Sequence, residues 1–184
     1  DDSITVTGNG TIPFHINAGA DNDSVDASTF TGALTTIYGG SGNDAITGSQ
    51  NADSIYGEDG DDRITAGRGA DFIFGGADSD TFVWNNGDGS DVVEGGTGLN
   101  NQIVNGSASG DDFQVTNLGG RTLFQRTNLV PFFVNMADVQ VLNINTGDGN
   151  DNTTIGNLAG TTLTRIDIEL GFGDAFADRV TVTG

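Results

Sequence analysis

From Gly39 onward, apolar residues return to the same place in a nine-residue unit. The chain reads GGSGNDAIT (39–47), GSQNADSIY (48–56), GEDGDDRIT (57–65), AGRGADFIF (66–74) and GGADSDTFV (75–83); after two further residues comes NGDGSDVVE (86–94). The eighth place is always apolar: Ile46, Ile55, Ile64, Ile73, Phe82 and Val93. The sixth place is always aspartate: Asp44, Asp53, Asp62, Asp71, Asp80 and Asp91. Self-similarity at a fixed short period marks a repeat architecture. Each unit leaves room for a turn of about six residues and a strand of about three. No segment keeps a helical spacing of apolar residues, so essentially no helix is expected.

The flanks follow the same logic with longer steps. Asp2, Asp23 and Asp44 are 21 residues apart, as are Ile4, Val25 and Ile46, and Phe14 and Ile16 align with Thr35 and Ile37 at that interval. Asp91 and Asp112 repeat the step. Near the end the interval becomes 27, from Val139 to Ile166, Val141 to Ile168, Asp151 to Asp178 and Ile155 to Val182. Residues 113–136 depart from this pattern, being poor in aspartate and rich in Phe and Leu; FQVTNL, then GG, then RTLFQR reads as a β-hairpin, an excursion over an apolar flank. The expectation is an all-β parallel β-roll or β-solenoid forming one domain over 1–184. It has a long-coil part (1–38), a nonapeptide roll (39–94) and a second long-coil part with the hairpin (95–184).

The six nonapeptides resemble the RTX family of secreted calcium-binding proteins, and the run GGADSDTFVWNNGDGSD is similar to the close of an RTX block. The resemblance covers residues 39–94. It implies a roll in which two units make one coil, with the sixth-place aspartate as the main side-chain ligand of Ca2+. Units two apart then stack, so Asp44, Asp62 and Asp80 line one edge and Asp53, Asp71 and Asp91 the other. Neighbouring strands lie ~4.8 Å apart, close enough for two turns to share an ion that needs 6–8 oxygen ligands. Glycine admits the positive φ values that turn carbonyls inward, which makes Gly40, Gly42, Gly57, Gly60, Gly67 and Gly69 the backbone candidates. Unit 48–56 holds Ser49 and Asn51 where glycines are expected, which puts a site at that turn in doubt, and Asp78 in the fourth place raises the same doubt. Asp2, Asp23, Asp112, Asp151 and Asp178 are further candidates in the longer coils.

Composition sharpens this picture. The net charge is −20, carried by 23 Asp and 3 Glu. Such self-repulsion opposes a compact state until something neutralises it, and without calcium the composition suits a disordered chain. Asp rather than Glu favours turns and hard-cation sites. Lysine is absent and arginine occurs six times, so binding to nucleic acid or insertion into an anionic membrane is not expected. The absence of cysteine excludes disulfides and thiolate chemistry, which leaves a metal as the staple of a small extracellular domain. The most apolar stretch, Leu129 to Val134, is far too short to span a bilayer, and the sequence reads as a mature product or an excised segment.

Nothing assembles an enzyme. His15 is the only histidine, between Phe14 and Ile16 on an alternating stretch that turns it outward, and Asp61 beside Asp62 is explained by a repeat turn rather than by glycosidase chemistry. Trp84 and Tyr56 are too few for a sugar platform, and outward threonines such as Thr5 and Thr181 form no regular array. The sequence therefore points to a non-enzymatic, secreted or cell-surface module. Its expected role is structural or adhesive, in an extracellular fibre, matrix, S-layer or adhesin, associating end to end with itself or with flanking repeats of a longer chain. The alternative is a carbohydrate-binding accessory module with a polysaccharide partner, which an aromatic row or basic groove on one sheet would favour.

Overall fold

The computed structural model describes residues 1–33, 35–171 and 177–184. Among them there is no helix, and the strands alternate between two facing sheets. The first sheet contains β1 (Ser3–Gly8), β3 (Ser24–Phe30), β5 (Ala45–Thr47), β7 (Arg63–Thr65) and β9 (Thr81–Asn85), continuing with β11 (Asn101–Asn105), β15 (Val141–Asn145) and β17 (Arg165–Glu169), in that order. The second begins with β2 (Phe14–Ala20), β4 (Thr35–Ser41), β6 (Asp53–Asp59), β8 (Phe72–Ala77) and β10 (Asp91–Gly96). It goes on with β14 (Phe132–Ala137), β13 (Arg121–Arg126), β12 (Asp112–Leu118), β16 (Asn152–Ile155) and β18 (Arg179–Val182). Coil after coil, the chain runs up one sheet and returns along the other, as a parallel β-solenoid does.

The nonapeptide period explains the pairing. A step of 18 residues puts Ile46 beside Ile64 in the first sheet and Ile55 beside Ile73 in the second. Because strand side chains alternate between faces, each eighth-place residue points inward and stacks on its equivalent. Ile37, Ile46, Ile55 and Ile64 are at most 1% exposed. The 21-residue steps at the N-terminal side hold as well, with Ile4 beside Val25, Val25 beside Ile46, and Ile16 beside Ile37.

Beyond β10 the roll changes. The hairpin β12–β13 forms with its turn at Gly119 and Gly120, and β13 pairs antiparallel with β14 as well. These strands lie within the second sheet rather than over its flank, so that sheet has ten strands where the other has eight. At ~4.8 Å per strand the second sheet gains roughly 10 Å of width. Large aromatic residues fill the space beneath it. Trp84 stacks on Phe132 at 3.7 Å between centroids, and Phe124 packs against Phe113 and Phe132 at 5.1 and 5.9 Å. The indole N–H of Trp84 donates to the Gly89 carbonyl at 2.8 Å.

Two expected registers are corrected here. β10 pairs with β14, Asp91 opposite Val134, so the 21-residue step from Asp91 to Asp112 does not exist. The meander occupies the neighbouring place. At the C-terminal side the 27-residue step holds in the second sheet, Ile155 beside Val182. In the first sheet, however, Leu142 pairs with Ile166 and Ile144 with Ile168 at a step of 24. β18 begins ten residues after the end of β17, against seven from the end of β15 to β16, which accounts for the difference of three between the two steps.

Candidate metal sites along the roll edges

At each turn the chain leaves one sheet for the other, and there the sixth-place aspartates stack into two ladders. On the first edge Oδ1 of each residue accepts the backbone N–H of its equivalent one coil earlier. Asp2 donates to Asp23 (2.5 Å), Asp23 to Asp44 (2.7 Å), Asp44 to Asp62 (2.8 Å) and Asp62 to Asp80 (3.1 Å). On the second edge Asp53 donates to Asp71 (2.8 Å) and Asp71 to Asp91 (3.0 Å). Beyond the meander Asp111 donates to Asp151 (2.6 Å) and Asp151 to Asp178 (3.0 Å). The two-edge grouping of the nonapeptide aspartates is therefore the observed one, and Asp23, Asp151, Asp178 and Asp2 extend it.

One oxygen of each carboxylate is thus occupied, and the other is not. Oδ2 of Asp23, Asp44, Asp62, Asp71, Asp80 and Asp151 is buried and accepts no hydrogen bond. Its surroundings hold further acceptors. A Cβ placed on Gly57 would lie 2.2 Å from Asp62 Oδ2 and 2.6 Å from the Gly75 carbonyl oxygen. One on Gly75 would meet Asp80 Oδ2 at 2.1 Å and the Gly95 carbonyl at 2.5 Å, and one on Gly39 would meet Asp44 Oδ2 at 2.4 Å and the Gly57 carbonyl at 2.7 Å. At these three turns of the first edge the first place has no room for a side chain, because a carboxylate oxygen and the next coil's carbonyl occupy the position of a Cβ; the second edge admits Ala66 and Asn86 there. Two acceptors side by side, both shielded from water, call for a positive charge between the coils.

Burial has the corresponding effect on titration. Loss of hydration, reinforced by neighbouring carboxylates, raises Asp62 to about 6, Asp80 and Asp91 to about 7, and Asp71 to about 9, from an ordinary 3.8. Asp44, Asp53 and Asp151 are also raised, chiefly by desolvation. No three His, Cys, Asp or Glu side chains converge among the described residues. A hard cation here would therefore draw mainly on backbone oxygen, and it would supply the charge these carboxylates lack.

The turn backbone is shaped for that. Gly40, Gly42, Gly60, Gly67 and Gly69 all have positive φ, so the second and fourth places of four units, though not Ser49, Asn51 or Gly89, share the left-handed region. Asp78 takes φ 73° and Glu58 φ 81° in equivalent places, so a side chain there does not change the turn. Gly57 does not share the positive φ expected of it; its carbonyl lies near Asp44 Oδ2, at the place a Cβ on Gly39 would occupy.

Unit 48–56 is different. Ser49 donates its N–H to Asp53 Oδ2 (2.6 Å) and its hydroxyl to Asp53 Oδ1 (3.0 Å), so that carboxylate is satisfied within its own turn. The same device recurs at Ser107, whose N–H and hydroxyl both reach Asp111 Oδ2, at 2.8 and 3.0 Å. Asp112, expected on the ladder, instead opens β12 on its outer row, where its Oδ1 accepts from Asn152 Nδ2. Asp111 is the fully buried ladder residue. Two adjacent aspartates made the choice invisible to spacing alone, and the preceding Gly-Ser, shared with Gly48-Ser49, is the signal that identifies Asp111. Asp2 is exposed at the start of the first ladder and Asp178 is half-buried at the end of the second.

In-register coils and paired acidic edges with orphaned oxygens define a parallel β-roll stapled by hard cations. The family model for the RTX calcium-binding nonapeptide repeat matches residues 36–55 and 47–82, in four copies. The chain carries RTX calcium-binding repeats in that stretch, and their number implies several calcium ions. No curated protein and no solved structure matches the chain.

Proposed function

We propose that this chain is a calcium-stabilised structural or adhesive module of an extracellular or cell-surface assembly, continued end to end by coils of its own kind. RTX-repeat proteins are typically secreted or surface-associated and their rolls non-catalytic, which suits such a role. The observation that carries the reading is the pair of aspartate ladders: buried Oδ2 atoms that accept no hydrogen bond recur coil after coil on both edges, a staple distributed along the roll rather than a single pocket. Coils that contact only their neighbours through one repeated interface can be lengthened by further coils of the same kind without a change of geometry.

Light scattering and electron microscopy in millimolar calcium test this. Rods or oligomers that vanish in chelator are expected, whereas a strictly monomeric species at high concentration would rule self-assembly out. An aromatic row does run along the outer second sheet: Tyr38 stacks on Tyr56 at 5.0 Å and Tyr56 on Phe74 at 5.1 Å. Such a row is the feature that would favour the carbohydrate-binding alternative; here the half-buried rings stack on one another, so the faces between them are covered, whereas sugars need exposed ring faces.

A further inference from the structure

The first acidic ladder does not stop at Asp80. Its next rung is Asn100, whose Oδ1 accepts the Asp80 N–H at 2.8 Å, and the rung after that is Gln140, whose Oε1 accepts the Asn100 N–H at 2.7 Å. The first of these bonds fixes the orientation of the Asn100 amide, because a backbone N–H can only meet the oxygen. Nδ2 must then take the place that Oδ2 occupies in Asp44, Asp62 and Asp80. It donates there to the Asp138 carbonyl at 3.0 Å and to the Thr97 carbonyl at 3.3 Å. Asp138 follows Ala137, which pairs with Glu94, so its carbonyl is the counterpart of Gly95, Gly75 and Gly57 one coil on. A Cβ on Gly95 would sit 2.1 Å from the Asp138 carbonyl oxygen and 2.7 Å from Asn100 Nδ2, the same crowding seen at Gly75 and Gly57.

Three successive turns thus set a carboxylate oxygen against a carbonyl, a contact that needs a cation. The fourth sets an amide donor against the carbonyl, a contact that needs none. On the second edge, where the meander interrupts the stack, Asp111 receives an internal cation. Arg126, 6% exposed, places Nη1 at 3.1 Å from Asp111 Oδ1 and 2.9 Å from Asn86 Oδ1, and its Nε and Nη2 bond the Val130 carbonyl.

We infer that the chain itself replaces calcium at these two steps, the Asn100 amide on one edge and the Arg126 guanidinium on the other. Ion binding is then confined to the coils before them and to the Asp151 turn, and the coil at β11–β14 closes without metal. The inference rests on the calcium reading of the aspartate turns and assigns, turn by turn, where that reading stops.

Exchanging the two chemistries tests it. Native mass spectrometry and calorimetric titration with calcium would count ions per chain in the wild type, in Asn100→Asp and in Asp62→Asn, with circular dichroism reporting the fold. Asn100→Asp should bind one ion more than the wild type, melt lower in chelator and recover in calcium. Asp62→Asn should bind fewer ions yet keep its β signal in calcium, its amide donating to the Gly75 carbonyl. An unchanged ion count in a folded Asn100→Asp variant would overturn the inference, as would its failure to fold in saturating calcium. An Asp62→Asn variant that binds as many ions as the wild type would do the same. A wild type that binds no calcium would instead remove the reading beneath, which keeps the two failures distinguishable.

Discussion

A sixth-place aspartate is defined by what its second oxygen meets. Asp62 and Asp71 each have a stacked carboxylate above and below and an Oδ2 with no donor. Asp26 lies on the exposed face, where its partner is Ser28 two residues on, whose N–H it accepts at 2.9 Å. Asp62→Ala and Asp71→Ala should therefore shift the calcium midpoint of folding strongly, each leaving a buried backbone N–H without its acceptor at a cost of about 1–3 kcal/mol besides the lost ligand. Asp26→Ala should stay within about 0.5 kcal/mol, as exposed substitutions do. Calcium titrations followed by circular dichroism would check this, and equal midpoints in all three variants would refute the ladder assignment. These residues were legible from spacing, because six turns repeat one chemistry. Asp111 was not legible from spacing, since Asp112 is equally acidic; the Ser107 bonds, the ladder bond to Asp151 and the Arg126 pair select it.

Among the elements, the meander β12–β14 carries a buried cation, Arg126, besides its ladders and the half-buried Arg121 that bonds Glu94 and Asn135. Arg126 closes β13 against Asp111 and lies over the Phe132 ring at 5.0 Å, itself stacked on Trp84. Removing one partner of a buried pair leaves an uncompensated charge and costs about 3–5 kcal/mol. Arg126→Ala should thus lower the melting temperature by several degrees in calcium, with loss of near-ultraviolet signal from Trp84. A thermal scan showing no change would mean that the pair is dispensable. The hairpin itself could be read from FQVTNL-GG-RTLFQR. Its insertion into the sheet could not, because alternation fixes which face is buried and leaves the neighbouring strand undetermined.

For the molecule as a whole, the net charge of −20 and the raised aspartates make folding a competition among repulsion, protons and calcium. Asp62, Asp80, Asp91 and Asp71 titrate at about 6, 7, 7 and 9 in the folded state against 3.8, so the fold holds more protons than the unfolded chain. Stability in chelator should then fall as pH rises from 4 through 9, and level off below about 3.8. In millimolar calcium the ion needs ionised ligands, so acidification should weaken its effect. Far-ultraviolet circular dichroism and melting across this range would check both signs. A chelator-treated chain more stable at pH 8 than at pH 5 would contradict them.

The sequence by itself determined the all-β roll, the stacked isoleucines, the two aspartate edges and the calcium chemistry. The calcium chemistry follows from the resemblance of the nonapeptides to RTX repeats, and the rest from a nine-residue period, which makes every coil's neighbour a copy of itself and so carries its own register. Tertiary structure decided what happens where the copies end. The 24-residue step in one sheet beside 27 in the other depends on how a turn shares its extra residues, which no periodicity encodes. That β10 adjoins β14, that Asn100 stands over Asp80, and that Arg126 reaches Asp111 depend on contacts between unlike segments, Asn100 meeting Asp138 across 38 residues. Only the packed sheets bring such groups together, and the reason is geometric: a repeat predicts its own neighbours, whereas an interruption receives its neighbours from the fold.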